Sequence, residues 1–198
     1  MTIRGDAQPF FEGFEPSPPL AQGKDAIFFA LIPNFDAAMK IHAASQRLSA
    51  THGLTGKLLK PENLHITLHP LGQYDGVPAV IEELAAAIAS SIHAAPFEVA
   101  FNAAMSFKRP RSLPFVLCGD EGVIGVAALQ KQFSERLKPI IKGGGQNTPH
   151  MTLLYDEKLV VRQPMEIVRF SVDSFVLIHS KIGQGRHEIL NRWPLRSL

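Results

Sequence analysis

Two short stretches of the chain repeat one pattern: His65-Ile66-Thr67-Leu68 and His150-Met151-Thr152-Leu153. On a strand, residues i and i+2 point to the same face, about 6.6 Å apart. His65 and Thr67 would then look the same way, as would His150 and Thr152, with Leu68 and Leu153 turned into a core. Each strand offers an imidazole, which moves a proton near neutral pH, and a hydroxyl, which donates to a phosphoryl oxygen. A phosphate held between two such strands meets two hydroxyl donors, a base on one side and an acid on the other. In-line phosphodiester cleavage needs that set: the nucleophile is deprotonated, the leaving oxygen is protonated and the equatorial oxygens are stabilised. With 8 histidines in 198 residues, chance placement of both tetrads has a probability of roughly 3 in 10,000, which sets the pair above two ordinary half-buried strands.

The surrounding sequence supplies elements to hold them. Ala26 to Ile32 is a continuous apolar run stopped by Pro33, a strand signal. Asp36 is expected to N-cap a helix with Met39, Ile41, Ala44 and Leu48 on its apolar face, ended by Gly53. Pro61-Glu62-Asn63 turns the chain into a strand over 64–69, which Pro70 and Gly72 should stop. Val80, Leu84, Ile88 and Ile92 recur every four residues and mark a second helix. Strands follow at 97–101 and 114–118. A third helix is expected over 123–141, with Val126, Phe133, Leu137 and Ile140 on one face, ended by Gly143-Gly144-Gly145. Residues 150–155 form the second motif strand, 167–179 read as one β segment, and 186–193 close the sheet.

The order strand, helix, loop, HxT strand occurs from Ile27 to Leu68 and again from Phe115 to Leu153. Phe28 and Val116 stand at similar distances ahead of their histidines. The two halves read as one diverged unit used twice, not as a solenoid array. Two such lobes facing each other would place one HxT strand on each side of a shared cleft.

Other chemistry-bearing residues yield less. His69 would share a strand face with His65 but lie about 13 Å along it, too far to ligate one metal, so it reads as a polar rim residue. His42, His52, His93, His179 and His187 have no partner motif and read as bland. The triple glycine lacks the Lys-Ser/Thr of a phosphate-binding loop and follows a helix, so it is a connector. Cys118 ends the apolar run from Pro114 and reads as a buried strand cysteine. Lys108, Arg109 and Arg111 form the densest basic cluster. They are either a solvated loop or a grip on the phosphates of an oligonucleotide, since separate cations hold phosphates without reading sequence.

At this point the chain resembles the two-histidine (2H) phosphoesterase superfamily, and within it the LigT-like 2′-5′ RNA ligases or RNA 2′,3′-cyclic phosphodiesterases. The likeness runs from Ile27 to Leu195. It takes in Phe28-Phe29-Ala30-Leu31, Pro61 to Leu68 with Leu71-Gly72, and Phe107-Lys108-Arg109-Pro110-Arg111. It continues through Pro149 to Leu153 and Val172 to Leu177, and ends at Arg192-Trp193-Pro194-Leu195. The resemblance implies an α+β, bilobal fold with an internal pseudo-two-fold, antiparallel sheets lining a central cleft and helices outside. It implies metal-independent hydrolysis of a 2′,3′-cyclic phosphate to a 2′-phosphate, with reverse 2′-5′ ligation as the opposite direction. His65 and His150 would be catalytic, and Thr67 and Thr152 would bind the phosphate. By analogy with the superfamily, His150 would be the base and His65 the acid. Lys108, Arg109, Arg111 and Tyr155 would be RNA or nucleotide contacts. Pro70 and Tyr155 stand where relatives often carry an aromatic residue and an arginine. The substrate is therefore expected to be an RNA 3′ end or a small cyclic nucleotide such as ADP-ribose cyclic phosphate. A non-catalytic RNA-end binding module is the reading from another class.

Bulk properties set the frame. Hydrophobic residues make up 45% and charged residues 19%, enough for a core in a chain of this length. A net charge of +2 is too mild to serve as a nucleic-acid footprint, so any anion site must be local. One cysteine forms no internal disulfide, and a reducing cytoplasm is the expected setting. The first twenty residues lack the apolar stretch of a signal peptide, and no 18-residue apolar run predicts a membrane span. Residues 1–24 are expected to form an extension packed on the surface, and 25–198 one bilobal domain. Neither a cofactor nor a metal is expected, and the protein is expected to be a monomer.

Overall fold

The computed structural model describes residues 24–109, 113–141 and 148–197. The surface packing expected for the N-terminal extension, the triple glycine and Arg111 lies outside the described residues. Among the described residues, eight strands and three α-helices follow in the order β1 (Asp25–Leu31), α1 (Phe35–His52), β2 (Ile66–Tyr74), α2 (Ala79–Ser90), β3 (Phe97–Ser106), β4 (Leu113–Cys118), α3 (Ile124–Leu137), β5 (His150–Asp156), β6 (Gln163–Val172), β7 (Ser174–Lys181) and β8 (Arg186–Pro194). The strands form two antiparallel sheets, ordered β2-β1-β7-β8 and β5-β4-β3-β6. This is an α+β fold.

The duplication expected from the sequence is visible in these two orders. Each HxT strand, β2 or β5, is the edge strand, beside the strand that opens its half. Each carries a bulge immediately after its threonine. Ala30 pairs with Thr67 and Phe29 with His69, while Val116 pairs with Thr152 and Phe115 with Leu154. The register makes Ala30, rather than Phe28, the counterpart of Val116.

The faces of the sheets divide the labour. Ile27, Phe29 and Leu31 of β1 join Phe115 and Leu117 of β4 in one apolar cluster spanning both sheets and all three helices. Phe28 and Ala30 point the other way, with Val176 and Ile178. The helices cross over between halves. Phe133 of α3 packs against Phe29, tilted, and Phe175, edge to face, with ring centroids 4.5 and 5.3 Å away, on the β1/β7 sheet. At the end of α1, His52 meets Phe115 of β4, and its carbonyl accepts the Lys158 ammonium at 2.6 Å. Each half therefore closes its core with the other half's helix.

Several boundaries differ from expectation. Asn34, not Asp36, caps α1, its side-chain oxygen accepting the Ala37 N–H at 2.9 Å. Asp36 falls inside the first turn, where its charge suits the helix N-terminus. β2 runs through Pro70 and Gly72 instead of stopping, because an edge strand has no outer neighbour that requires the proline N–H. The 167–179 segment is two strands of different sheets, divided at Asp173, whose carbonyl accepts the Leu195 N–H at 2.7 Å. β3 extends to Ser106, past the expected end at Phe101. Met39, Val80 and Ile140 are exposed, since their helices turn other residues to the core and α3 ends at Leu137, before Ile140. Cys118 is buried, as expected.

The crossed helix generates a stability prediction. Phe133 is fully buried between two aromatic rings. Phe133→Ala should cost about 3–5 kcal/mol, the range for emptying a buried aromatic position. Urea unfolding of the variant measures it, and a loss below about 1 kcal/mol would mean that α3 does not close the first half's core.

Candidate active site

The first motif begins one residue before its strand. A tight turn at Pro61–Asn63 delivers Leu64 into the core and His65 to the mouth of β2. There the Nδ1 of His65 lies 2.8 Å from the carbonyl oxygen of Asn63. The second motif repeats this contact: Nδ1 of His150, the first residue of β5, lies 2.7 Å from the carbonyl oxygen of Thr148. A carbonyl only accepts, so each Nδ1 carries the proton and donates it. Each Nε2 is left as a bare acceptor, the form a general base requires. Both contacts reach back two residues, a local geometry that the two halves share.

The hydroxyls follow two residues on. Thr67 and Thr152 lie opposite Ala30 and Val116, on the face away from the main core. Both threonines and both histidines are half-buried. β2 and β5 touch across the two sheets, so the two motifs are neighbours. The β2 backbone is also held by the other half: buried Gln130 of α3 donates its side-chain N–H to the Thr67 carbonyl at 2.9 Å. On the β5 side, the Leu59 N–H donates to the Leu153 carbonyl at 2.7 Å. The loop before it passes so close that a Cβ at Gly56 would collide with the Tyr155 carbonyl, which restricts that position to glycine.

An aromatic ring lies beside each histidine. Phe28 is 5.1 Å from His65, and Phe107 is 4.8 Å from His150. They come from different strands. Phe28 is on β1 opposite Ile178 of β7, whereas Phe107 continues β3 and donates its N–H to the Pro114 carbonyl of β4 at 2.9 Å. These rings remove water from both imidazoles. Burial is the main reason that His65 is held below the ordinary value of 6.5, partly offset by its bond to the Asn63 carbonyl. Burial likewise pushes His150 down to about 4, opposed by the Thr148 carbonyl and assisted by the positive charges of Arg109 and of a protonated His65.

The remaining expected contacts divide. Arg109 is near enough to His150 for its charge to act there. Lys108 is exposed beside it on the same connection. Tyr155 is 51% exposed at the far end of β5, paired with Pro114. His69 is not on the rim. The bulge after Thr67 turns it opposite Phe29, away from the face of His65, and leaves it only 3% exposed. His187 is not bland: its ring meets His65 edge to face at 5.0 Å. Their wide separation along the chain gave no sequence signal for that meeting, Gln130 did not stand apart from ordinary helix residues, and Phe107 was marked only as part of the stretch that carries the resemblance.

Two imidazoles, two hydroxyls and a guanidinium thus converge on one cleft. With both imidazoles neutral the site can accept protons but not give one. An anionic phosphodiester entering beside them favours the charged form of a histidine and so supplies the missing acid. In ligand-free protein, long-range ¹⁵N NMR should show His65 and His150 as Nδ1–H tautomers, with His150 titrating near pH 4. An Nε2–H tautomer at either residue would contradict the carbonyl contacts.

Comparison with known proteins agrees with this architecture. No curated protein matches the chain. Among solved structures, E. coli LigT complexed with 3′-AMP aligns with a TM-score of 0.69 and 24% identity, covering 87% of this chain and 99% of that one. Other structures of the same protein hold ATP, phosphate and NADP⁺. A protein described as a phosphoesterase aligns at 0.69 with 25% identity, over 92% of this chain and all of the other. TT0787 of Thermus thermophilus aligns at 0.69 with 18% identity, over 87% and 98%. The family model described as the 2′-5′ RNA ligase superfamily matches residues 36–183, which contain both motifs. The chain belongs to the 2′-5′ RNA ligase superfamily of two-histidine phosphoesterases.

Proposed function

We propose that this protein hydrolyses a 2′,3′-cyclic phosphate to a 2′-phosphate, with His65 and His150 as the catalytic pair. The observation that carries the reading is the pair of Nδ1–carbonyl contacts, at 2.8 and 2.7 Å, which dedicate both Nε2 atoms to proton transfer beside two threonine hydroxyls. Thr67 and Thr152 donate to the phosphoryl oxygens. His150, kept neutral by burial and by Arg109, takes a proton from water. The water oxygen bonds to phosphorus as the bond from phosphorus to the ribose 3′-oxygen breaks. His65, protonated once the anion is bound, gives its proton to that oxygen. In the ligation direction the two roles exchange. Residues 25–198 act in this reading as one bilobal unit, with one motif from each lobe.

Two substrates fit the class. The neighbouring LigT structures hold a nucleoside monophosphate, ATP and NADP⁺, which supports a small cyclic nucleotide as the ligand here. Exposed Lys108 and Arg109 on the connection next to His150, and exposed Tyr155 on the second motif strand, support an RNA 3′ end, whose upstream phosphates and bases need cations and a stacking surface. Turnover of nucleoside 2′,3′-cyclic phosphates, measured against RNA ending in one, separates the two.

Each motif histidine is expected to be essential. His65→Ala and His150→Ala should each lose about 10²–10⁴-fold in turnover while remaining folded, the usual contribution of a general acid or base. A folded variant with full activity would end the two-histidine mechanism. Among the described residues no three His, Cys, Asp or Glu side chains are grouped to hold a metal ion. Chelator-treated enzyme should keep its rate, and loss of activity that only a divalent ion restores would refute a metal-free reaction.

The pH dependence follows from the two depressed histidines. The base must be neutral, which requires a pH above about 4 for His150. The acid must be protonated, which requires a pH below the value of His65, itself held under 6.5. kcat/KM, which reports the free enzyme, should therefore be bell-shaped with both limbs on the acid side of pH 6.5. A profile that keeps rising into alkaline solution would rule out His65 as the acid.

A further inference from the structure

A third histidine stands at the site. His187 of β8 pairs with Ser180, and Ile189 with Ile178, on the sheet face that carries Phe28. The His187 ring meets the His65 ring edge to face at 5.0 Å and the Phe28 ring edge to face at 6.1 Å. A second link fixes this placement. The side-chain N–H of buried Asn63 donates to the carbonyl of Gly185, in the β7–β8 turn, at 2.8 Å. The Asn63 backbone carbonyl is the acceptor for His65 Nδ1. One residue thus ties the turn leading to His187 to the atom that orients His65.

The two nitrogens of His187 are not equivalent. Nδ1 is buried and has no hydrogen-bond partner among the described residues. The residue as a whole is only half-buried, so Nε2 is the nitrogen that solvent or a ligand reaches. A buried N–H without an acceptor is rarer and costlier than a bare buried lone pair. The proton therefore belongs on Nε2, the reverse of the tautomer at His65 and His150. Burial, and a second charge beside His65, both disfavour the protonated form and keep this ring neutral. His65 and His150 are bare acceptors in the free site, whereas His187 is a fixed donor that no proton transfer has to create.

We infer that His187 is a further substrate-binding residue of this site, an Nε2–H donor to an oxygen of the bound phosphate beside His65. The inference rests on the cyclic-phosphate reading, and it adds a third neutral donor to Thr67 and Thr152 on the side of the site occupied by His65. Being neutral, the donor grips the anion without competing with His65 for the proton that the reaction uses.

Two variants separate a donor from a packing ring. His187→Phe keeps an aromatic edge against His65 and Phe28 but removes the N–H. His187→Gln removes the ring but places an amide N–H where Nε2 stood. Inorganic phosphate binding by calorimetry and turnover of cytidine 2′,3′-cyclic phosphate are measured on both, and NMR reads the tautomer. We expect an Nε2–H signal for His187 and phosphate binding about tenfold or more weaker in His187→Phe, the scale of a hydrogen bond to a charged group. KM should rise with it, and His187→Gln should restore both to within about threefold. The opposite order, with His187→Phe unaffected and His187→Gln impaired, would overturn the donor role and leave only packing. An Nδ1–H tautomer, or a wild type that binds phosphate no better than His187→Phe, would also overturn it. If wild-type protein binds phosphate through His187 but does not turn over the cyclic substrate, the cyclic-phosphodiesterase reading fails while the donor stands.

Discussion

The hydrogen bond from a histidine Nδ1 to the carbonyl two residues before it is the contact on which this site depends. It occurs at His65 with Asn63 and at His150 with Thr148, at 2.8 and 2.7 Å. It selects one tautomer, aims Nε2 away from the backbone and stiffens the ring without help from a distant acid. It also constrains the chain, since the carbonyl must turn back toward the ring. On the first side a one-turn helix at Pro61–Asn63 does this, and on the second the short lead through Thr148 and Pro149. The rest of the structure holds these two local units near each other in a dry environment.

That task falls to the exchange of helices between halves. A lobe whose own helix covered its own sheet would have little to fix it against its twin. Here Phe133 fills the core of the β1/β7 sheet, and Gln130, one turn earlier on the same helix, bonds the Thr67 carbonyl. The carbonyl oxygen of the Gln130 side chain is buried without a hydrogen-bond partner among the described residues. A buried polar group left half-satisfied has a cost, so the contact it does make acts as a specific lock and not as surplus burial. Shared apolar surface then links the positions of the two motifs, and through them the proximity that lets the charge of one histidine lower the proton affinity of the other.

Much of this organisation was legible from residue order. Alternation of polarity located both motif strands, and the recurrence of strand, helix and HxT strand revealed the duplication. Errors fell where local rules meet an edge or a long-range partner. Proline and glycine were expected to stop β2 after His69, but an edge strand tolerates both. Simple alternation put His69 on the face of His65. A one-residue bulge reversed it, because slipping the register by one residue exchanges the faces. The segment around Asp173 has no glycine or proline to mark its break, and only the competing hydrogen bonds of two sheets divide it.

The amino-acid sequence by itself determined the chemistry available: two imidazoles and two hydroxyls at i, i+2 spacing, each beside a turn, carried on a duplicated unit. Strand periodicity and local backbone bonding operate over a few residues, so neighbouring residue types suffice to specify them. Only the tertiary structure decided the environment of that chemistry. It placed Phe28 and Phe107 against the imidazoles from non-equivalent strands, set Arg109 within reach of His150, and brought His187 onto His65 from the far end of the chain. Desolvation and ring contact depend on distance through space, and side chains so far apart in sequence acquire a common surrounding only when the sheets pair and the helices cross.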